Sequence, residues 1–454
     1  MLMLVAALCL PLPGLASESK YFLVRFVQTF GEADLESLGV KAYAKRFGLA
    51  DCQVSAALGE LVRYGCLECL PVSAGRGRPK RLYRCTADLL GKLRQAESRP
   101  CLHLAAIEGL IQHERRDPII PLRQPVRTDR LADLRSKRGS AQLSIINRVL
   151  LAILLCHADR FGVVRDLGTS AICNASGLNQ TRFASRLQQL IRFGRVRSYV
   201  AGASSNILAT RVLSTYILNL NHPDLSGGSG HSLLLVSKVA TCTSENEFQH
   251  GRALFRDARK YSVDKGHFGY GTSRAAVLGF FAKQQEHVFQ LLQLKLEAYA
   301  ADLLSRNWAD LASGITHRFP DLLARIRKDF SLPDDREVGA ATMKVDIGSI
   351  LHDYSLELAR DIHMRLSEGA RGIPLDGMEY AILPQAWGSG YMAIALVAEP
   401  RLSNQIPGQY RCMVISKDVL QRCSSKGYLL EAEIPLEERY GFGLLARPCG
   451  SGPA

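Results

Sequence analysis

Five basic residues, Arg76, Arg78, Lys80, Arg81 and Arg84, crowd the stretch SAGRGRPKRLYRCT between two strand-compatible segments. Guanidinium and ammonium groups at this density do one kind of chemistry well: they neutralise the phosphates of a polyanion and release its counterions. A basic run by itself is more often a solvated loop, so its surroundings decide. Charge is distributed in the same sense across the chain. The formal net charge is +14, and residues 1–225 carry all of it, with 31 Lys and Arg against 17 Asp and Glu, whereas 226–454 balance at 26 and 26. A basic half beside a neutral half reads as a binding half and a non-binding half.

Other chemistry is sparse. The sequence holds no GxxxxGK[ST], HExxH or GxSxG, and its eleven histidines show no ligand spacing. The CLEC stretch, Cys66 to Cys69, is a lone CxxC; Cys85 could approach it, but a structural zinc site needs four ligands and no fourth is evident. Structural cysteines are therefore expected, with no metal and no cofactor. Asp334-Asp335 and Glu437-Glu438 read as solvated pairs. No residue presents itself as catalytic, and a non-enzyme is expected.

The elements that would position the basic loop occur twice. GLADCQVSAALGELVRYGCL at Gly48–Leu67 and GLNQTRFASRLQQLIRFGRV at Gly177–Val196 align without a gap at an offset of 129, with nine identities in the twenty-eight columns from 38 to 65. An internal duplication of this kind governs every later assignment. Each copy reads as an apolar helix (Phe22 to Phe30; Val149 to Cys156), then a short one (Leu38 to Phe47; Leu167 to Ala175) stopped by Gly48 or Gly177. A third helix follows with a buried stripe, Val54, Leu58, Leu61 and Val62 or Phe183, Leu187, Leu190 and Ile191, at i, i+4, i+7, i+8. Strand-type residues come next, Leu67 to Val72 and Val196 to Val200.

Helix, helix, tight turn, helix and strand pair is the order of a winged helix-turn-helix, and these stretches resemble the winged-helix DNA-binding domains of bacterial regulators of the multiple-antibiotic-resistance type. An ordinary helical hairpin is the alternative for either copy alone. The resemblance covers about 19–86 and 143–220. It implies an α+β chain with two winged helix-turn-helix modules in its N-terminal half, and it places the basic stretch where a wing lies against DNA. GRGRPKR also resembles the short arginine hooks that enter narrow A·T minor grooves. Double-stranded DNA is thus the expected partner.

The third helices differ on the face opposite the core. At 100° per residue that face is Thr181, Arg182, Ser185, Gln188, Gln189 and Arg192 in the second copy, all suited to base edges and phosphates. In the first copy it is Cys52, Gln53, Ala56, Gly59, Glu60 and Arg63, while the second wing, VAGASSN, is uncharged. A division of labour is expected, with module 1 anchoring through its wing and module 2 reading through its helix.

Around the modules, 1–18 is an apolar extension resembling a secretory leader but lacking a basic residue before the apolar run; an upstream extension or a lead-in to the first helix is expected. Residues 87–142, rich in Pro and Arg, are expected to be an extended linker, with a short helix at 128–137 as an alternative. After a Gly/Ser boundary at 221–232, a helical region is expected over 233–375 and an antiparallel β-rich one over 376–454. Long helices are expected at Ala276–Trp308 and Asp346–Ser367, whose stripes could form core or join a homodimer. Strands are expected at YMAIALVAE, YRCMVIS and YLLEAEIPL. Twelve scattered cysteines and no apolar run long enough to span a membrane point to a cytoplasmic protein. A transcriptional regulator is the leading expectation; a plasmid or mobile-element replication initiator, whose paired modules usually make up most of the chain, is the alternative.

Overall fold

The apolar N-terminal run forms helix α1 (Leu2–Cys9), with Leu4, Ala7 and Leu8 buried against α2 (Ser17–Thr29). In the computed structural model, residues 2–31, 38–72, 80–96, 101–112, 143–225, 233–239, 248–264, 272–313, 318–332, 346–370, 372–387, 393–401, 411–417 and 423–447 are described. The chain is mixed α+β. It divides into unit 1, Met1–Leu190 with His222–Gly227, and unit 2, Ile191–Asn221 with Gly228–Ala454.

In unit 1, Phe22 and Phe26 of the chain's second helix and Phe30 at its C-cap stand four residues apart on one side and meet Tyr43 and Phe47 of α3 (Val40–Phe47) at ring separations of 5.2–6.4 Å. Helix α4 (Asp51–Arg63) and the antiparallel pair β1 (Leu67–Val72) and β2 (Lys80–Cys85) complete the first copy. The expected extended linker begins differently. Its first part folds as α5 (Ala87–Gln95) and α6 (Leu104–Gln112), because Leu89 and Leu93, then Ile107 and Ile111, recur at helical spacing and are buried. The Pro/Arg-rich remainder, with the alternative helix at 128–137, lies outside the described residues. Helix α7 (Ile145–Cys156) is buried from Val149 to Cys156 and packs against α1, α2 and α6; β3 (Val163–Val164), α8 (Thr169–Ser176) and α9 (Gln180–Arg192) follow.

Unit 2 begins within the last turn of that helix, so the second copy's strands, β4 (Val196–Val200) and β5 (Thr215–Leu218), belong to unit 2. Its main sheet takes β6 (Leu233–Val239) as the central strand, although a helical region was expected there. Helices α10 (His250–Asp264), α11 (Thr272–Phe281), α12 (Glu286–Arg306), α13 (Trp308–Ala312), α14 (Pro320–Asp329) and α15 (Ile347–Gly369) precede β7 (Met378–Leu383), β8 (Ala393–Pro400), β9 (Arg411–Lys417) and β10 (Cys423–Leu429). Strand order is β10-β9-β6-β8-β7. The sheet is not wholly antiparallel as expected, since β6 runs parallel to β9. The third expected tail strand is also displaced. YLLEAEIPL supplies only the end of β10, then a 3₁₀ turn at Glu431–Glu433 and the start of α16 (Leu436–Gly441).

The expected continuous helix over Ala276–Trp308 is broken at 282–285. No proline lies there, and side chains hold the broken segment. Ser262 Oγ donates to Ala282 O (3.2 Å), and Gln284 accepts from Ser205 Oγ (2.7 Å) while donating to Asn206 Oδ1 (3.1 Å). The stripe Val288, Leu292, Leu296, Tyr299 and Leu303 is buried, with α12 lying on β7 and α15. It is core, so a homodimer through this stripe is withdrawn.

Within that helix Glu297 is buried beside Gln293, whose Nε2 donates to Glu297 Oε1 (2.9 Å) and to Phe248 O (2.8 Å). Burial pushes its carboxyl up to about 8. The native state therefore keeps a proton that the unfolded chain releases above its ordinary 4.5, and unit 2 should lose stability as pH rises from there toward 8, by about 3 kcal/mol at pH 7. Glu297→Gln is expected to remove this dependence, raising the urea midpoint at pH 7–8 and leaving it little changed at pH 4.5. An identical pH slope in both proteins would contradict the assignment.

Candidate nucleic-acid interface

The turn that presents α9 is set by Gly177, whose φ of +70° is left-handed backbone that glycine adopts without strain. Its N–H closes α8 onto Cys173 O, and Asn179 Oδ1 then accepts from Arg182 N (2.8 Å), capping the next helix. The first copy repeats the turn at Gly48, with φ of +68° and its N–H on Ala44 O. The duplication in the sequence is thus a duplication of backbone geometry.

Helix α9 buries Phe183, Leu187 and Leu190 and exposes Thr181, Arg182, Ser185, Gln188 and Arg192. Four neutral or cationic hydrogen-bonding side chains within two turns of a capped N-terminus can meet phosphate oxygens and base edges. Gln189 is different. It is half-buried, and its Oε1 accepts from Asn147 Nδ2 (3.2 Å) and Arg186 Nη1 (3.1 Å), so its carbonyl is held within unit 1. Arg186 was not singled out from the sequence; it stands at the edge of the exposed face.

In α4, Arg63 is exposed with Cys52, Ala56 and Gly59, whereas the two polar groups beside them are committed elsewhere. Gln53 Oε1 accepts from Ala50 N (3.1 Å), closing its own helix start. Glu60 accepts from Ala16 N (3.1 Å) and from the Ser19 hydroxyl. The Gln53 carbonyl oxygen and the Glu60 carboxylate therefore serve the fold.

Strands β1 and β2 pair in the register Val72↔Lys80 through Leu67↔Cys85. The connecting residues 73–79, with Arg76 and Arg78, lie outside the described residues, as does the Lys80 side chain. Arg81 is exposed. Arg84 donates to Glu68 Oε2 at 2.8 Å across the two strands. Cys66 and Cys85 are buried at the base of the pair, and burial pushes the Cys85 thiol up to about 12. Among the described residues no group of three or more His, Cys, Asp or Glu is placed to hold a metal ion, and no helix is long and apolar enough to cross a membrane.

The chain matches no family model, no curated protein and no solved structure. What can be said of function therefore rests on the geometry of these surfaces.

Proposed function

We propose that the chain binds double-stranded DNA, with α9 reading base edges and the β1–β2 hairpin anchoring on the backbone as a wing, and that it acts as a bacterial transcriptional regulator. The observation that carries this reading is the exposed polar face of α9, where Thr181, Arg182, Ser185 and Gln188 stand together opposite the buried Phe183, Leu187 and Leu190. The order of elements supports it. Along the chain α7, β3, α8, α9, β4 and β5 follow the helix and strand sequence of a winged helix, and the first copy repeats the three helices and the final strand pair. The excess of positive charge in residues 1–225 supports it independently.

Selection from random duplex DNA with the full chain tests the proposal. Enrichment of a defined motif is expected, and Arg182→Ala or Gln188→Ala should relax preference at one or two positions, at about 1–3 kcal/mol for a lost bidentate contact. Gln53→Ala, whose side chain caps its own helix, should leave the motif intact. No enriched motif, or equal loss from Gln53 and Arg182, would overturn the reading. Genome-wide recovery of bound sites separates regulator from replication initiator: sites dispersed at promoters support the first, a clustered array of repeats the second.

A further inference from the structure

Three cysteines far apart in sequence meet in unit 1. Cys9 ends the first helix, Cys101 precedes α6, and Cys156 ends α7. The Cys156 side chain lies beside those of both Cys9 and Cys101. Cys9 Sγ lies 3.6 Å from His157 Nε2, and His103, on the turn before α6, holds its ring against Asp159 O at 2.8 Å. Beneath them Lys20 is 1% exposed, its Nζ donating to Leu10 O (2.6 Å). Burial brings this amine down to about 7, and the charge of Cys9, Cys66 and Cys156 opposes that fall. A thiolate in this cluster and a charged Lys20 therefore favour one another.

The electrostatics pick out which one. The Cys156 hydrogen bond, with His157 behind it, brings Cys9 down to about 5. The same donor and the His103 backbone N–H bring Cys101 down to about 7. Hydrogen bonds to Cys101 and Cys9, with burial, hold the proton on Cys156. Cys9 and Cys101 are half-buried and Cys156 is buried, so solvent reaches the first two while the third waits behind them. An accessible thiolate with a protonated thiol in contact is the arrangement of an attacking and a resolving cysteine.

We propose that Cys9, Cys101 and Cys156 form an oxidisable site, in which a peroxide converts Cys9 to a sulfenic acid and Cys156 closes a disulfide onto it. In the first step the Cys9 sulfur takes one oxygen of the peroxide, the O–O bond breaks, and the other oxygen leaves as alcohol or water with a proton. In the second, the Cys156 sulfur attacks the Cys9 sulfur, the S–O bond breaks, and hydroxide leaves as water with the Cys156 proton. The two electrons lost by the two thiols reduce the peroxide. Cys101 then stands beside the Cys156 sulfur for thiol exchange, which would release Cys9 as a thiolate. The disulfide fastens the first helix to the end of α7.

The test is treatment of the full chain with hydrogen peroxide, followed by alkylation under denaturing conditions and peptide mass spectrometry. A Cys9–Cys156 linked peptide is expected, lost in Cys9→Ser and retained in Cys52→Ser. In Cys156→Ser the Cys9 sulfenic acid should persist and be captured by dimedone. Labelling of the unmodified protein needs no variant: Cys9 should react with iodoacetamide at nearly the same rate at pH 6 and pH 8, whereas in the denatured chain its rate should rise roughly 75-fold over that range, as for a thiol with pKa near 8.5. Crosslinks scattered over other cysteines, or a steep pH dependence for Cys9 in the folded protein, would overturn the proposal. So would one zinc per chain that shields all three thiols, since the cluster would then be a ligand set.

Discussion

Gly177→Ala is expected to cost unit 1 about 3–5 kcal/mol, and Gly65→Ala about 1–2. The backbone is alike at the two positions, with φ of +70° and +69°, so left-handed strain contributes equally. Space differs. A Cβ at Gly65 meets nothing within 4 Å, whereas at Gly177 it would stand 2.1 Å from Leu15 O and 3.0 Å from Ala16 C and Ser17 N. That backbone cannot yield locally, because Leu12 N donates to Asn174 O (3.1 Å), Ala16 N to Glu60 Oε1 (3.1 Å), and Lys20 N to Ala16 O (2.9 Å). Urea unfolding followed by circular dichroism checks the difference. The two tryptophans, Trp308 and Trp387, both lie in unit 2, so their fluorescence transition should not move. Equal losses from the two substitutions would mean that the Leu15–Ser17 segment does not sit on this turn.

Arg197→Met should cost unit 2 about 3–5 kcal/mol at neutral pH, the scale for leaving one member of a buried ion pair alone. Arg197 is 4% exposed; Nη1 and Nη2 donate to the two oxygens of Glu431 at 2.7 and 2.8 Å, and Nη1 also reaches Leu444 O at 2.9 Å. Asn221 Nδ2 adds a further bond to the same carboxylate (2.9 Å). Burial alone would raise the Glu431 carboxyl; the charge and hydrogen bonds of Arg197, with Asn221, overcome it and hold the group below its ordinary 4.5. A depressed carboxylate contributes stability above its unfolded value, lost as pH falls through the folded one. Tryptophan fluorescence should therefore show the parent protein weakening below about pH 4.5 while Arg197→Met lacks that step. The double variant Arg197→Met, Glu431→Leu should recover most of the loss. Failure to recover would show that Leu444 O, not the carboxylate, is what Arg197 holds.

The parts legible in the sequence were those fixed by short-range pattern. Leu67 to Val72 and Val196 to Val200 are strands as expected. Val54, Leu58 and Leu61 of α4 and Phe183, Leu187 and Leu190 of α9 are buried because a 3.6-residue period admits one apolar face, whereas the last member of each expected stripe is not: Val62 is exposed and Ile191 half-buried. What was missed depends on partners distant in the chain. Nothing near 282–285 announces a helix break, and the groups that hold the broken segment, Ser205, Asn206 and Ser262, lie elsewhere in the chain. LLLVSKV at Leu233–Val239 is an apolar run that periodicity alone does not assign, and its two strand neighbours decide. Gln53 and Glu60 share a face with Arg63, but which polar side chain bends back to the fold is a matter of Ala50, Ala16 and Ser19. The thiol cluster is the extreme case: no spacing rule links positions 9, 101 and 156.

The position of β6 has a consequence for the order in which the polypeptide acquires its shape. Leu233 pairs with Ala398 on one side and with Arg411 on the other, so both partners are synthesised more than 150 residues later. Throughout that interval an apolar segment with two open edges leaves the ribosome with nothing to lie beside, and the long helices α12 and α15 lack the sheet they pack on. Loop closure over such distances slows folding and exposes strand edges to other chains. A nascent chain stalled before β9 should therefore be insoluble without a chaperone to shield residues 233–239. The main sheet of unit 2 can close only late in translation.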